Sequence, residues 1–372
     1  MVSFTAVLSR RRRGAAPPRL PGMIAAAVLV LCGSAAACPI CVERPEATLA
    51  ERLLDARTAV IAREDPAQPF RFAPVETLKG APRDAAIPFL LDSATRRRLA
   101  ARPGDGLLFV HDGQEWRRAA YLDPAMRRTV DAILDRGPGW AADETARFAF
   151  FAGLLHDEHP NLRRLAIDEL SRARYGLIRA MARPVDPDAA RRALADRTEL
   201  PWAGFHIVML GLGGRPADRA LILGRIAMAA RLGGVRNLDA WATALIEIDG
   251  AEGVARLAAE WFTAPSRPDE LRAIIAALAV HGREGDPALR PAILSALRGL
   301  PARHPDVAGS VAAALGRIGD FSQADAIERV LLDAARRHGA ELDAAELMAA
   351  ALYVNTARQA AGPAPKPHGA FR

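Results

Sequence analysis

One short pattern returns through the second half of this chain at a near-constant interval, and it constrains the fold more than any other feature. Segments 164–172, 206–214, 242–250, 274–282 and 311–319 each place an apolar helical face ahead of a leucine, and the last four close on glycine. With Leu170, Leu210, Leu245, Leu278 and Leu315 taken as equivalent, the steps are 40, 35, 33 and 37 residues. That is the interval of a two-helix repeat rather than of a heptad or a β-propeller blade. A single unit of this kind cannot bury its apolar face alone, so neighbours stack as a helical solenoid. The pattern predicts helix pairs at 186–196 with 202–212, 218–230 with 238–248, 252–262 with 269–280, 287–297 with 305–318, and 323–335 with 343–358. Gly-Gly, Gly-Asp and Pro-Asp turns separate them.

Charge says more about location than about activity. Arginine outnumbers lysine 48 to 2, which reads as coding bias, and the formal net charge is +7. Five of those charges, Arg10, Arg11, Arg12, Arg13 and Arg19, lie in residues 1–37, which hold no acid, so the remainder carries +2. A near-neutral chain whose arginines alternate with acids has no stripe to track phosphates, which sets nucleic-acid binding aside. Residues 1–37 themselves read as a secretory signal peptide: a basic stretch, an apolar run over 23–32, and Ala35-Ala36-Ala37 before Cys38. The expected location is the periplasm or cell envelope of a GC-rich Gram-negative bacterium. Cys38 directly after small residues also fits a lipoprotein, with the lipid on Cys38. Membrane contact is then expected only through the signal or that anchor.

Export leaves Cys38 and Cys41 as the remaining cysteines, in the run Cys38-Pro39-Ile40-Cys41. In an oxidising compartment such a pair is most simply a local disulfide. The alternative is a redox pair, because the run resembles the CPxC active sites of thioredoxin-like oxidoreductases. Val42 stands where haem attachment needs a histidine, and no further ligands occur at zinc spacing, so neither metal nor cofactor is expected.

After a helical stretch at 48–55, short runs rich in β-branched and aromatic residues follow at 58–62, 70–78, 86–91, 106–111 and 116–121. Asp112-Gly113 is a hairpin signal between the last two. These runs predict a small five-stranded barrel or sandwich over 38–121. The order C-x-x-C, helix, AVIAR at 59–63, FAPVETLKG at 72–80 and GDGLLFV at 104–110 resembles the netrin and metalloproteinase-inhibitor type of OB-like module. More closely, it resembles exported bacterial proteins whose mature chain begins with CPxC and continues into a helical domain, a group with no established activity. The resemblance implies two domains: a small all-β OB-like barrel followed by an all-α HEAT-like α-solenoid.

Residues 122–160 read as a linker and first helices, with Gly137-Pro138-Gly139 marking the change of period. The loop His156-Asp157-Glu158-His159-Pro160 offers two histidines and two acids, but reads as a polar turn whose Pro160 starts the next helix. His111 reads as a surface residue at a strand-to-turn position. Helical repeats then occupy 161–358, and a Pro/Gly-rich tail covers 359–372. Trp202, Trp241 and Trp261 sit on successive repeats and stand as a possible binding face, with core packing as the commoner use of such residues. No G-x-S-x-G, H-E-x-x-H or phosphate-binding loop occurs. The sequence therefore points to an exported, non-enzymatic protein-binding or scaffold protein of the envelope. Its alternative is a periplasmic thiol-disulfide protein using Cys38 and Cys41.

Overall fold

The computed structural model describes residues 47–81, 86–181, 186–234, 236–263, 265, 267–336 and 343–361, which lie in one compact unit. Helix α1 (Leu49–Asp55) starts on a reciprocal cap: Thr48 Oγ1 accepts from the Glu51 amide, and the Glu51 carboxylate accepts from the Thr48 amide. Strands β1 (Thr58–Glu64) and β2 (Phe72–Lys79), helix α2 (Ser93–Ala101), and strands β3 (Gly106–His111) and β4 (Trp116–Leu122) follow. The strands form one antiparallel sheet in the order β2-β1-β3-β4. The pleat sorts their side chains: Ala59, Ile61, Leu108 and Val110 enter one core, while Val60, Ala62, Leu107 and Phe109 enter another.

This sheet corrects the expected OB-like barrel. Closure requires the two edge strands to meet, whereas β2 and β4 lie at opposite edges of an open sheet. The run 86–91, expected as a fifth strand, makes only an isolated bridge between Leu90 and Arg71. Pro88 has no N–H for a ladder, and Ile87 and Leu91 are buried against the sheet, so the run is apolar because it covers a face. Leu99 of α2 completes that cover, while Arg96, Arg97 and Arg98 on the same helix stay exposed.

The sheet and the helices that follow it share packing. The second face of the sheet belongs to the same core that runs through Leu53, Met126, Phe151, Leu170 and on to Val354. At 137–139 the chain forms a 3₁₀ turn in which Gly137 is buried against Leu54 while Pro138 and Gly139 are exposed.

Helices α3 (Pro124–Arg136), α4 (Glu144–Ala152), α5 (Pro160–Leu170) and α6 (Tyr175–Met181) lead from the sheet. They are followed by α7 (Pro187–Ala195), α8 (Ala203–Gly213), α9 (Pro216–Leu232), α10 (Leu238–Asp249), α11 (Ala251–Trp261) and α12 (Pro268–Glu284). The last are α13 (Arg290–Leu297), α14 (Leu300–Arg303), α15 (Ala308–Ile318), α16 (Ala324–Arg336) and α17 (Ala344–Ala360). Proline at the first helical position begins α3, α5, α7, α9 and α12, where its missing N–H removes no helical bond.

The helices stack in two rows. In the inner row α8, α10, α12, α15 and α17 each pack on the next, with α9, α11, α13 and α16 outside them. Leu170, Leu210, Leu245, Leu278 and Leu315 are all buried in this core. Gly214 and Gly319 end α8 and α15 in the left-handed conformation, with φ of 63° and 76°. Gly282 instead lies inside α12, where its missing Cβ makes room for Ile318. None of the described helices is long and apolar enough to cross a membrane.

Candidate ligand-binding site

Two crevices adjoin the first turns of α5, and Arg164 lines both. Pro160 starts this helix and His159 precedes it as the cap residue, turned so that its Nε2 lies 2.7 Å from Asp123 Oδ2. Burial opposes ionisation of Asp123, but the Met126 amide and His159 outweigh it and hold the carboxyl below its ordinary value. The same carboxylate caps α3, so one acid ties the starts of two helices together. Arg163 and Arg164 then project from the first turn of α5.

The opposing wall is the 3₁₀ turn at 197–202, begun by Asp196, whose carboxylate accepts from the Thr198 amide. It places Glu199 2.5 Å from Arg164 Nη2. The Arg164 guanidinium carbon lies 4.1 Å from the centre of the Trp202 ring, a cation–π contact. On the next helix His206 is buried, its Nε2 3.3 Å from Glu199 Oε2. Burial lowers His206 below its ordinary pKa and favours the neutral ring, opposed by the Glu199 hydrogen bond.

The smaller crevice, about 280 Å³, lies between α5, α7 and α8; its lining includes Arg163, Asp186, Ala193, Glu199, His206 and Met209. The larger, about 500 Å³, spans the junction of sheet and helices. Its walls include Arg52 of α1, Ala120 and Tyr121 of the edge strand β4, and Asn161, Asp168 and Trp202. Burial raises the Asp168 carboxyl above its ordinary value, against a hydrogen bond from the Trp202 side chain and the charges of Arg172 and Arg52. Neither described lining offers a serine, threonine or cysteine nucleophile.

The residues singled out from sequence are distributed differently. Trp202 lines the junction crevice, Trp241 is half-buried against the core, and Trp261 is buried with no partner for its indole N–H among the described residues. The three therefore do not share one exposed face. His111 is buried, not at the surface, and its ring packs edge-on to Trp116 at 5.1 Å. The two loop histidines diverge: His159 meets Asp123, whereas His156 lines the smaller crevice. Among the described residues no group of histidine, cysteine, aspartate and glutamate could hold a metal ion. Cys38 and Cys41, the signal segment 1–37 and the tail beyond residue 361 lie outside the described residues.

Sequence reasoning did not single out Arg163, Arg164, Glu199 or His206. The one available signal was His206 itself, a polar residue in the apolar run HIVMLGLGG. The fold and these crevices define a mostly helical protein with a ligand-sized site beside an open sheet. Compared with known proteins, the chain matches no family model, no curated protein and no solved structure.

Proposed function

We propose that this is a non-enzymatic binding protein of the cell envelope that takes an extended segment of a partner polypeptide in the crevice between sheet and helices. The carrying observation is the pairing of walls across that crevice: an edge strand on one side, and Trp202 stacked on Arg164 on the other. As an outer strand, β4 has no strand partner on its far side among the described residues, so its backbone groups are available to an added strand. Tryptophan and arginine are the side chains that most often anchor such contacts. The envelope location rests on the signal-like residues 1–37, and mass spectrometry of the protein purified from its own cells tests it by the presence or absence of cleavage before Cys38.

Selection of peptides from a random library on the whole protein tests the crevice. Selected peptides should lose about tenfold or more in affinity when Trp202→Ala removes the anchor, and when Asn161→Trp fills the crevice from an exposed position. Peptides that bind both folded variants as tightly as the wild type would place the binding surface elsewhere.

A further inference from the structure

The smaller crevice has its own chemistry, and its hydrogen-bonding capacity is only partly used. Arg163 donates through Nη1 to the carbonyls of Asp157 at 2.6 Å and Glu158 at 2.9 Å. Those bonds hold the guanidinium in place without neutralising it, and among the described residues Arg163 has no ion-pair partner. Its Nε and Nη2 donors make no hydrogen bond there either, and they form the forked edge that matches a carboxylate. Arg164, by contrast, is taken up by Glu199. Asp186, the other acid in the lining, accepts from the Asp188 amide at 2.9 Å and lies 3.4 Å from Arg192.

His206 supplies a second, complementary group. Its side chain is 7% exposed, and Nε2 faces the Glu199 carboxylate, which assigns the ring proton to that nitrogen. Nδ1 is then an acceptor, and it has no hydrogen bond among the described residues. The same crevice is lined by apolar side chains from Ile167, Ala190, Ala193, Phe205 and Met209. The volume of about 280 Å³ equals roughly nine waters of bulk liquid, room for one acylated amino-acid residue.

We propose that this crevice binds the C-terminal residue of a polypeptide: its carboxylate on Arg163, its amide N–H on His206 and an apolar side chain between them. It is a second point of attachment beside the junction crevice, and it stands or falls on its own probes.

Calorimetric or NMR titration of the full protein with N-acetyl-leucine tests it. Saturable binding is expected, weakened about tenfold or more in N-acetyl-leucinamide, which lacks the carboxylate, and in 4-methylpentanoate, which lacks the N–H. Arg163→Gln should abolish the preference for the acid over the amide. Ala193→Phe, which puts a bulky ring into the crevice and leaves residue 163 unchanged, should block all three probes in a protein that still shows the wild-type circular dichroism. Asn161→Trp should leave N-acetyl-leucine binding unchanged, which separates this site from the junction crevice. The proposal is overturned if N-acetyl-leucine does not bind, if the amide binds as well as the acid, or if Ala193→Phe binds like the wild type.

Discussion

His281 lies on α12 with its Nε2 3.0 Å from the Thr243 carbonyl, and Tyr175 packs edge-on against its ring at 5.1 Å. Burial, the largest influence, pushes its pKa from 6.5 down to about 4, against the pull of Glu247. The folded protein therefore keeps this ring neutral where the unfolded chain would protonate it. Its contribution to stability is fully present above pH 6.5, falls as pH drops toward about 4, and changes no further below that. The loss across the window is on the order of 3 kcal/mol. Urea midpoints from pH 8 to pH 4 should fall less steeply for His281→Gln, whose amide can still donate to Thr243; equal slopes would refute a neutral buried ring. His206 is shifted in the same direction, so a residual slope is expected. Two glycines of α15 give a second contrast. A Cβ on Gly309 would stand 2.1 Å from the backbone oxygen of Glu346, whereas one on Gly316 meets only the Tyr353 ring at 3.6 Å. Gly309→Ala should cost about 3 kcal/mol in chemical denaturation, and Gly316→Ala should be neutral or stabilise by up to about 1 kcal/mol through helix propensity. Neither difference is visible in the sequence, where both are glycines within one helix.

Among the elements, α1 is held by charge as much as by packing. Glu169 is fully buried; it accepts from the Ala50 amide at 3.1 Å and pairs with Arg147 at 2.8 Å. Arg147 and Arg172 also reach Glu51 at 3.4 and 3.2 Å. Burial raises the Glu169 pKa despite Arg147, so its ionised form is tolerated only with that partner present. Arg147→Met should cost about 3 kcal/mol at pH 7 and speed amide hydrogen exchange across α1. The cost should shrink as pH falls and Glu169 takes up a proton, because a raised carboxyl pKa gives stability that is lost as pH rises. Glu169→Gln keeps an acceptor for Ala50 and should cost less; a larger cost for Gln would overturn this account. The helix starts marked by proline and the stops at Gly214 and Gly319 were legible, since they are local backbone requirements. The run 86–91 was not, because an apolar strand and an apolar cover for a sheet have the same composition.

For the whole molecule, the sheet and the first helices share one core, and this has a measurable consequence. A fragment of residues 123–361 would expose Met126, Val130 and Ile133 of α3, all buried in the intact protein. It should bind a hydrophobic dye and melt below the intact chain in calorimetry. A fragment as stable as the whole, with no dye binding, would show that the helices form a domain of their own.

The sequence by itself determined that helices recur in pairs along the second half of the chain and which leucines line the stack, because these depend on residue types at short spacing. Only the tertiary structure decided that the strands stay open, since that depends on what covers each face of the sheet. It also decided the crevices, where Arg164 and Glu199 are 35 positions apart and meet at 2.5 Å. An arginine on a helix and a glutamate in a turn are each ordinary alone; packing α5 against the turn that precedes α8 is what makes them one wall.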